Sequence, residues 1–134
     1  MNINNFDDLL TAARQQPEPQ RLLLVFARAE MPEKASPEQV ERFESRSGGY
    51  LLPAVCVDKL PEELSGFPAL LEESKATGQD WDMLFVAGMS GKAGFAPSGD
   101  EAVQPLKMMV EAIEQGRVSQ FLAFNKAGEP VRFR

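Results

Sequence analysis

Two runs of consecutive apolar residues constrain the fold of this chain more than any other feature of its sequence. They are LLLVFA at 22–27 and MLFVA at 83–87. A short run without a polar residue is typical of a strand that is covered on both faces, and such strands lie inside a sheet. The sequence therefore predicts a sheet whose central strands are covered on both sides.

Helical patterns lie before, between and after these runs. Asn5 predicts the cap of a first helix that ends before Pro17, and Ser36 followed by Pro37 predicts the start of a second helix ending near residue 47. Residues 61–77 favour a third helix, broken near Ser65. A fourth is expected over 100–115, with an apolar stripe of Val103, Leu106, Val110 and Ile113.

The remaining apolar segments predict three further strands. Residues 50–57 form one, in which Pro53 lacks a backbone donor and favours a sheet edge or a bulge. Residues 120–124 and 130–133 predict a hairpin closed by the loop 125–129. Because helices separate most of the strands, right-handed crossovers are expected. We therefore predict a single α/β domain over residues 1–134: a three-layer α/β sandwich with a mostly parallel or mixed sheet of about five strands and a C-terminal β-hairpin.

Composition limits the functions that need to be considered. The net charge of −6 argues against nucleic-acid binding, and no apolar run approaches the roughly 18 residues of a membrane span. The chain has no histidine and one cysteine, so neither a metal site nor a cofactor is expected. The first residues lack the basic and apolar regions of a signal peptide, which predicts a cytoplasmic location.

The loop 88–99 is the main candidate ligand site. Ser90, Gly91, Lys92 and Gly94 follow a buried strand and precede a helix, an order that can place backbone N–H groups around an anion. Asp58, at the end of another strand, is the fifth candidate. The glycine spacing fits neither a Walker A loop nor a dinucleotide fingerprint. The competing interpretation is that these glycines only permit a long turn.

Other conspicuous residues have structural interpretations. Cys56 lies in an apolar strand and is expected to be buried and unreactive, and Trp81 is expected to be half-buried. Charged residues at strand ends are expected to be solvated rather than catalytic: Asp58, Lys59, Asp80 and Asp82. Four methionines are predicted to pack in the core: Met83, Met89, Met108 and Met109.

Four segments, 6–27, 55–64, 85–113 and 124–133, resemble small bacterial proteins of unknown function that often carry the label "ribonucleotide reductase subunit alpha". The resemblance covers nearly the whole chain and implies no catalytic residues. The labelled activity requires a thiyl-forming cysteine and a redox cysteine pair, whereas Cys56 is the only cysteine here. We therefore reject ribonucleotide reductase activity for this chain.

Two functional hypotheses follow from the sequence. The favoured one is a small, soluble, non-catalytic binding or protein-interaction domain, in which a homodimer or a protein partner uses a sheet edge or a helix face. The alternative is a sensor or enzyme for a small anionic metabolite that uses the loop 88–99. The first predicts that the glycines lie in a closed turn and that apolar side chains are exposed elsewhere. The second predicts N–H groups converging on an open pocket, with Lys92 pointing into it.

Overall fold

A computed structural model of the chain describes residues 3–30 and 50–132. In this part of the chain a five-stranded sheet carries three α-helices and one 3₁₀ helix. In chain order the elements are α1 (Phe6–Arg14), β1 (Gln20–Glu30), β2 (Tyr50–Lys59), the 3₁₀ helix (Pro61–Glu63), α2 (Phe67–Ala76), β3 (Met83–Ser90), α3 (Gly99–Glu114), β4 (Leu122–Phe124) and β5 (Pro130–Val131). The helix predicted from Ser36 lies outside the described residues.

The strand order is β2-β1-β3-β4-β5, and every neighbouring pair is antiparallel. The predicted mostly parallel or mixed sheet is therefore wrong. Strands β2 and β3 do run in the same direction, because both pair antiparallel with β1, but β1 lies between them. A helix between two strands gives the chain enough length to return to the sheet. It does not decide which strand the returning segment pairs with.

Both predicted apolar runs form inner strands that are buried on both faces. In β1, Leu22, Leu24 and Phe26 belong to one core cluster with residues of α1 and α2 and with Leu64, which follows the 3₁₀ helix. The alternate residues Leu23 and Val25 pack on the α3 side. The same alternation holds for residues 83–86 of β3. Since successive side chains of a strand point to opposite faces, helices on both sides of the sheet account for these uninterrupted apolar runs.

The strand β2 lies at one edge of the described sheet. Its register with β1 shifts between Phe26 and Ala27, and Pro53 pairs with Ala27 directly after the shift. This confirms that Pro53 belongs to an edge strand with an irregularity. Cys56 lies on the same strand and is exposed, so the expectation that it is buried is wrong. An edge strand has a neighbour on one side only, and its side chains are less covered than those of β1.

Local signals set several helix ends. The side chain of Asn5 accepts a hydrogen bond from the backbone N–H of Asp8 at 2.8 Å, which confirms the predicted cap of α1. Helix α3 begins with a capping box in which Ser98 and Glu101 exchange hydrogen bonds. The break predicted near Ser65 separates the 3₁₀ helix from α2. None of the helices in the described ranges has the length and apolar character to cross a bilayer.

Trp81 belongs to the core rather than to the rim. Its ring is buried and lies edge-on to Phe26, with 5.0 Å between ring centroids. The indole N–H donates to the hydroxyl of Ser74 at 3.0 Å, and that hydroxyl donates to the carbonyl of Leu71 at 2.6 Å. The expectation of a half-buried Trp81 is therefore wrong. The buried Ser74 supplies the acceptor that the indole N–H needs.

Candidate functional site

The loop after β3 forms a tight, closed turn. Lys92 and Phe95 exchange two backbone hydrogen bonds, of 3.0 and 2.9 Å, around Ala93 and Gly94. Both central residues have positive φ, 54° for Ala93 and 84° for Gly94, as in a type I′ turn. The adjacent Gly91 has a separate steric role. A Cβ added there would lie 2.0 Å from the carbonyl oxygen of Phe95, so only glycine fits.

The backbone donors of this turn already have acceptors within the protein. Gly91 N–H donates to the carbonyl of Pro19 at 2.8 Å, and Lys92 N–H donates to Phe95. Gly94 N–H donates to the Glu18 carboxylate at 2.9 Å. The protein's own carboxylate therefore occupies the place at which an anionic ligand would meet the turn. The side chain of Lys92 is exposed.

Ser90 precedes this turn and Asp58 lies near Gly99 at the end of the loop, and both side chains are held by other contacts. The Ser90 hydroxyl accepts a hydrogen bond from the Gln20 amide at 3.1 Å. Asp58 forms an ion pair with Arg21 at 2.7 Å, and the Arg21 Nε donates to the carbonyl of Pro97 at 2.6 Å. Arg21 thus ties the end of the loop to the sheet. Sequence inspection missed Arg21, and its position directly before an apolar run was the only available signal.

The charged residues at the other strand ends are also engaged. Lys59 pairs with Glu73 at 2.6 Å, and the Asp82 carboxylate accepts the backbone N–H of Ala29 at 2.8 Å. Asp80 pairs with Lys126 at 3.0 Å. The hydrogen bond and the charge of Lys126 lower the pKa of the Asp80 carboxyl. These side chains stabilise local structure, and the described residues contain no group of three or more acidic or cysteine side chains that could hold a metal ion.

A cavity of about 260 Å³ lies between the end of α1, the segment 17–20 and the 3₁₀ helix. Among the described residues that line it, the cationic one is Arg14, whose guanidinium donates to the carbonyls of Pro61 and Leu64 at 3.1 and 2.9 Å. Two carboxylates, Glu18 and Glu62, also line it. The Arg14 guanidinium is already bonded to the carbonyls of Pro61 and Leu64, and the two carboxylates would repel an anion. The cavity is therefore a poor binding site for an anionic metabolite.

The turn and the helix that follows it expose large apolar side chains. Phe95 is 77% exposed, Val103 64% and Met108 59%, and these are the three most exposed large apolar residues of the described chain. The other two are Leu122 at 44% and Leu52 at 38%. Met108 was predicted to pack in the core, and this prediction is wrong; Val103, predicted as part of the apolar stripe of the helix, is also exposed. The buried side of α3 consists of Ala102, Met109, Ala112 and Ile113.

Val103 and Met108 lie at opposite margins of the exposed side of α3, because five residues correspond to about 140° of rotation around a helix. Residues three and four apart are neighbours on a helix, so exposed Gln104 and Lys107 connect Val103 with Met108. We call this area the α3 surface: Val103, Gln104, Lys107, Met108 and Glu111. Neither α1 nor α2 carries an exposed large apolar residue within the described ranges. The α3 surface is therefore distinct among the described helices.

The charges of α3 also differ from those of α2. The acids of α2, Glu72 and Glu73, pair with Lys75 and Lys59 at 3.1 and 2.6 Å. Helix α3 has one cation, Lys107, and four exposed acids, Asp100, Glu101, Glu111 and Glu114. None of these four takes part in the ion pairs found in the described part of the chain. The exposed side of α3 is thus apolar and acidic.

The chain matches no protein-family model, no curated protein and no solved structure.

Proposed function

We propose that this chain is a small non-catalytic protein-interaction domain that binds a protein partner through the α3 surface and the adjoining turn. The observation that carries the proposal is the exposure of Phe95, Val103 and Met108 within one segment of chain. Burial of exposed apolar groups against a partner lowers the free energy of the complex, and contiguous groups of them mark interaction sites. Phenylalanine and methionine are also enriched in interface cores.

The hydrogen bonds of the loop 88–99 support this proposal over the metabolite-binding alternative. A ligand site needs free donors, whereas the N–H groups of Gly91, Lys92 and Gly94 already donate within the protein. An incoming anion would have to displace the Glu18 carboxylate and would also meet Asp100 and Glu101 at the start of α3. The same turn holds Phe95 at the surface, where its side chain is accessible to a partner.

The sheet edges are less suitable for binding than the α3 surface. Within the described sheet, Pro53 lies in the edge strand β2, and Pro130 begins the two-residue edge strand β5. Proline has no N–H to donate to an added strand, and short or proline-containing edges disfavour strand addition. A partner is therefore expected to dock on a helix face.

Site-specific photocrosslinking in cells that express the protein tests the proposal. A photoreactive amino acid is placed at Val103, at Met108 or, as a control on the opposite face, at the exposed Glu72. We expect one adduct of the same mass from positions 103 and 108 and none from 72. The substitution Met108→Asp should abolish the adduct formed from position 103. Equal adducts from all three positions, or an adduct from 103 that survives Met108→Asp, would overturn the proposal.

A further inference from the structure

We infer that the partner of the α3 surface is a basic, amphipathic protein segment rather than a second copy of this chain. The inference rests on the proposed function and specifies the chemistry of the partner. Its basis is the combination of exposed apolar side chains with acids that have no counter-ion in the described part of the chain.

The charge of α3 determines which classes of partner fit. The helix has four acids and one lysine, an excess of three negative charges, and the whole chain has a net charge of −6. Nucleic acids and anionic membranes are negatively charged and would be repelled by this side of the helix. A partner with lysine or arginine beside its apolar residues would instead place opposite charges around Val103 and Met108.

The same charges disfavour a homodimer through this surface. In a two-fold symmetric contact the same patch is present on both copies. Lys107 could neutralise only one of the four acids on α3 of the other copy, and the remaining three would face like charge or remain unpaired. Like-charge contacts across an interface lower affinity. The proline residues at the sheet edges, Pro53 and Pro130, disfavour the edge-paired dimer as well.

The partner segment should offer apolar side chains at helical spacing with cations beside them. Val103 and Met108 lie on the two sides of the exposed face, with the exposed Gln104 and Lys107 between them. A helix that lies along this face can place apolar side chains against Val103 on one side and Met108 on the other, while its basic residues reach the acids near both ends of α3. Phe95, before the start of α3, would extend the apolar contact at one end.

A peptide titration tests this inference with the full chain. The probes are two fluorescently labelled helix-forming peptides that have leucine on one face and either lysine or glutamate on the other. Anisotropy should show binding of the lysine peptide and not of the glutamate peptide. The double substitution Glu111→Gln and Glu114→Gln should weaken lysine-peptide binding about threefold to tenfold at low salt, and high salt should reduce the difference.

A matched control separates the position of the charge from its amount. Glu62→Gln with Glu72→Gln gives the same change in net charge on the other side of the sheet. This control should bind the lysine peptide as the unmodified chain does. Val103→Ser with Met108→Ser should weaken binding at any salt concentration, because the apolar contact is lost. Circular dichroism of each variant verifies that the fold is retained.

The outcomes distinguish failure of the inference from failure of the proposed function. Equal weakening by both glutamine pairs, equal binding of both peptides, or no binding of the lysine peptide would overturn the basic-partner inference alone. A dimer in sedimentation that Met108→Asp dissociates would also overturn it, in favour of a second copy. If Val103→Ser with Met108→Ser leaves lysine-peptide affinity unchanged and position 103 gives no photoadduct, the proposed function fails too.

Discussion

Gly91 provides the sharpest test of how the turn after β3 is built. In Gly91→Ala the new Cβ would lie 2.0 Å from the Phe95 carbonyl oxygen and 2.8 Å from that of Pro19. Both obstacles are backbone atoms, so no rotamer change can relieve the contacts. The chain must move apart at Pro19 or at Phe95.

The expected cost follows from the hydrogen bonds that such a movement breaks. Three are at risk: Gly91 to Pro19 at 2.8 Å, Lys92 to Phe95 at 3.0 Å and Phe95 to Lys92 at 2.9 Å. At about 1 kcal/mol each, their loss would lower the free energy of unfolding by about 3 kcal/mol. Urea unfolding followed by circular dichroism measures this loss as a lower midpoint.

Two neighbouring glycines are matched controls for Gly91→Ala. Gly94 has a φ of 84° and nothing within 4 Å of an added Cβ, so Gly94→Ala should cost only the left-handed strain of about 1 kcal/mol. At Gly88 the nearest atom is the end of the flexible Gln20 side chain, at 3.3 Å, and Gly88→Ala should change stability by less than about 0.5 kcal/mol. The loss of unfolding free energy should therefore be largest for Gly91→Ala, smaller for Gly94→Ala and smallest for Gly88→Ala. Equal stability of Gly91→Ala and Gly88→Ala would refute the steric reasoning.

Three further predictions test the core, a surface pair and the candidate ligand loop. Ser74→Ala should lower the free energy of unfolding by about 2 kcal/mol in urea unfolding, because the buried Trp81 N–H loses its acceptor; no change would indicate that another acceptor is available. Lys126→Ala should raise the pKa of Asp80 towards its ordinary value in an NMR titration, since Lys126 lowers that pKa. In the unmodified chain the Asp80–Lys126 pair should slightly stabilise the fold at neutral pH, and this stabilisation should be lost as the pH falls through the pKa of Asp80 in the folded protein. In a thermal-shift screen, nucleotides, sugar phosphates and small organic acids should leave the melting temperature of the unmodified chain and of Lys92→Ala unchanged; a shift lost in Lys92→Ala would instead support a metabolite site.

The central strands could be predicted from the sequence because their signal is local. An uninterrupted apolar run such as 22–27 requires cover on both faces, whichever strand lies beside it. Pro53 likewise indicated an edge through a property of its own backbone. Strand direction is different, because it depends on pairing between distant segments. Both β2 and β3 pair with β1, and the sequence between β2 and β3 does not indicate that the two strands pair with β1 rather than with each other.

The candidate site was only partly predictable, for a related reason. The composition of the loop indicated the turn, but the need for glycine at 91 comes from Pro19 and Phe95, which only the folded chain brings together. The apolar stripe predicted for α3 included Val103, whereas the helix packs on β1 and β2 through Ala102, Met109 and Ile113. Helical spacing defines a face, but the position of the helix on the sheet decides how much of that face is buried.

The separation of apolar and acidic groups on α3 implies different kinetic roles for them. Opposite charges act at a distance and mainly raise the association rate, whereas apolar contacts form only in the docked complex and mainly slow dissociation. Glu111→Gln with Glu114→Gln should therefore slow association of the lysine peptide, with the larger effect at low salt. Met108→Ser should speed its dissociation with little effect on association, and stopped-flow mixing resolves the two rates. If both variants changed only the dissociation rate, the acids would act as direct contacts in the complex, and the steering role assigned to them would be wrong.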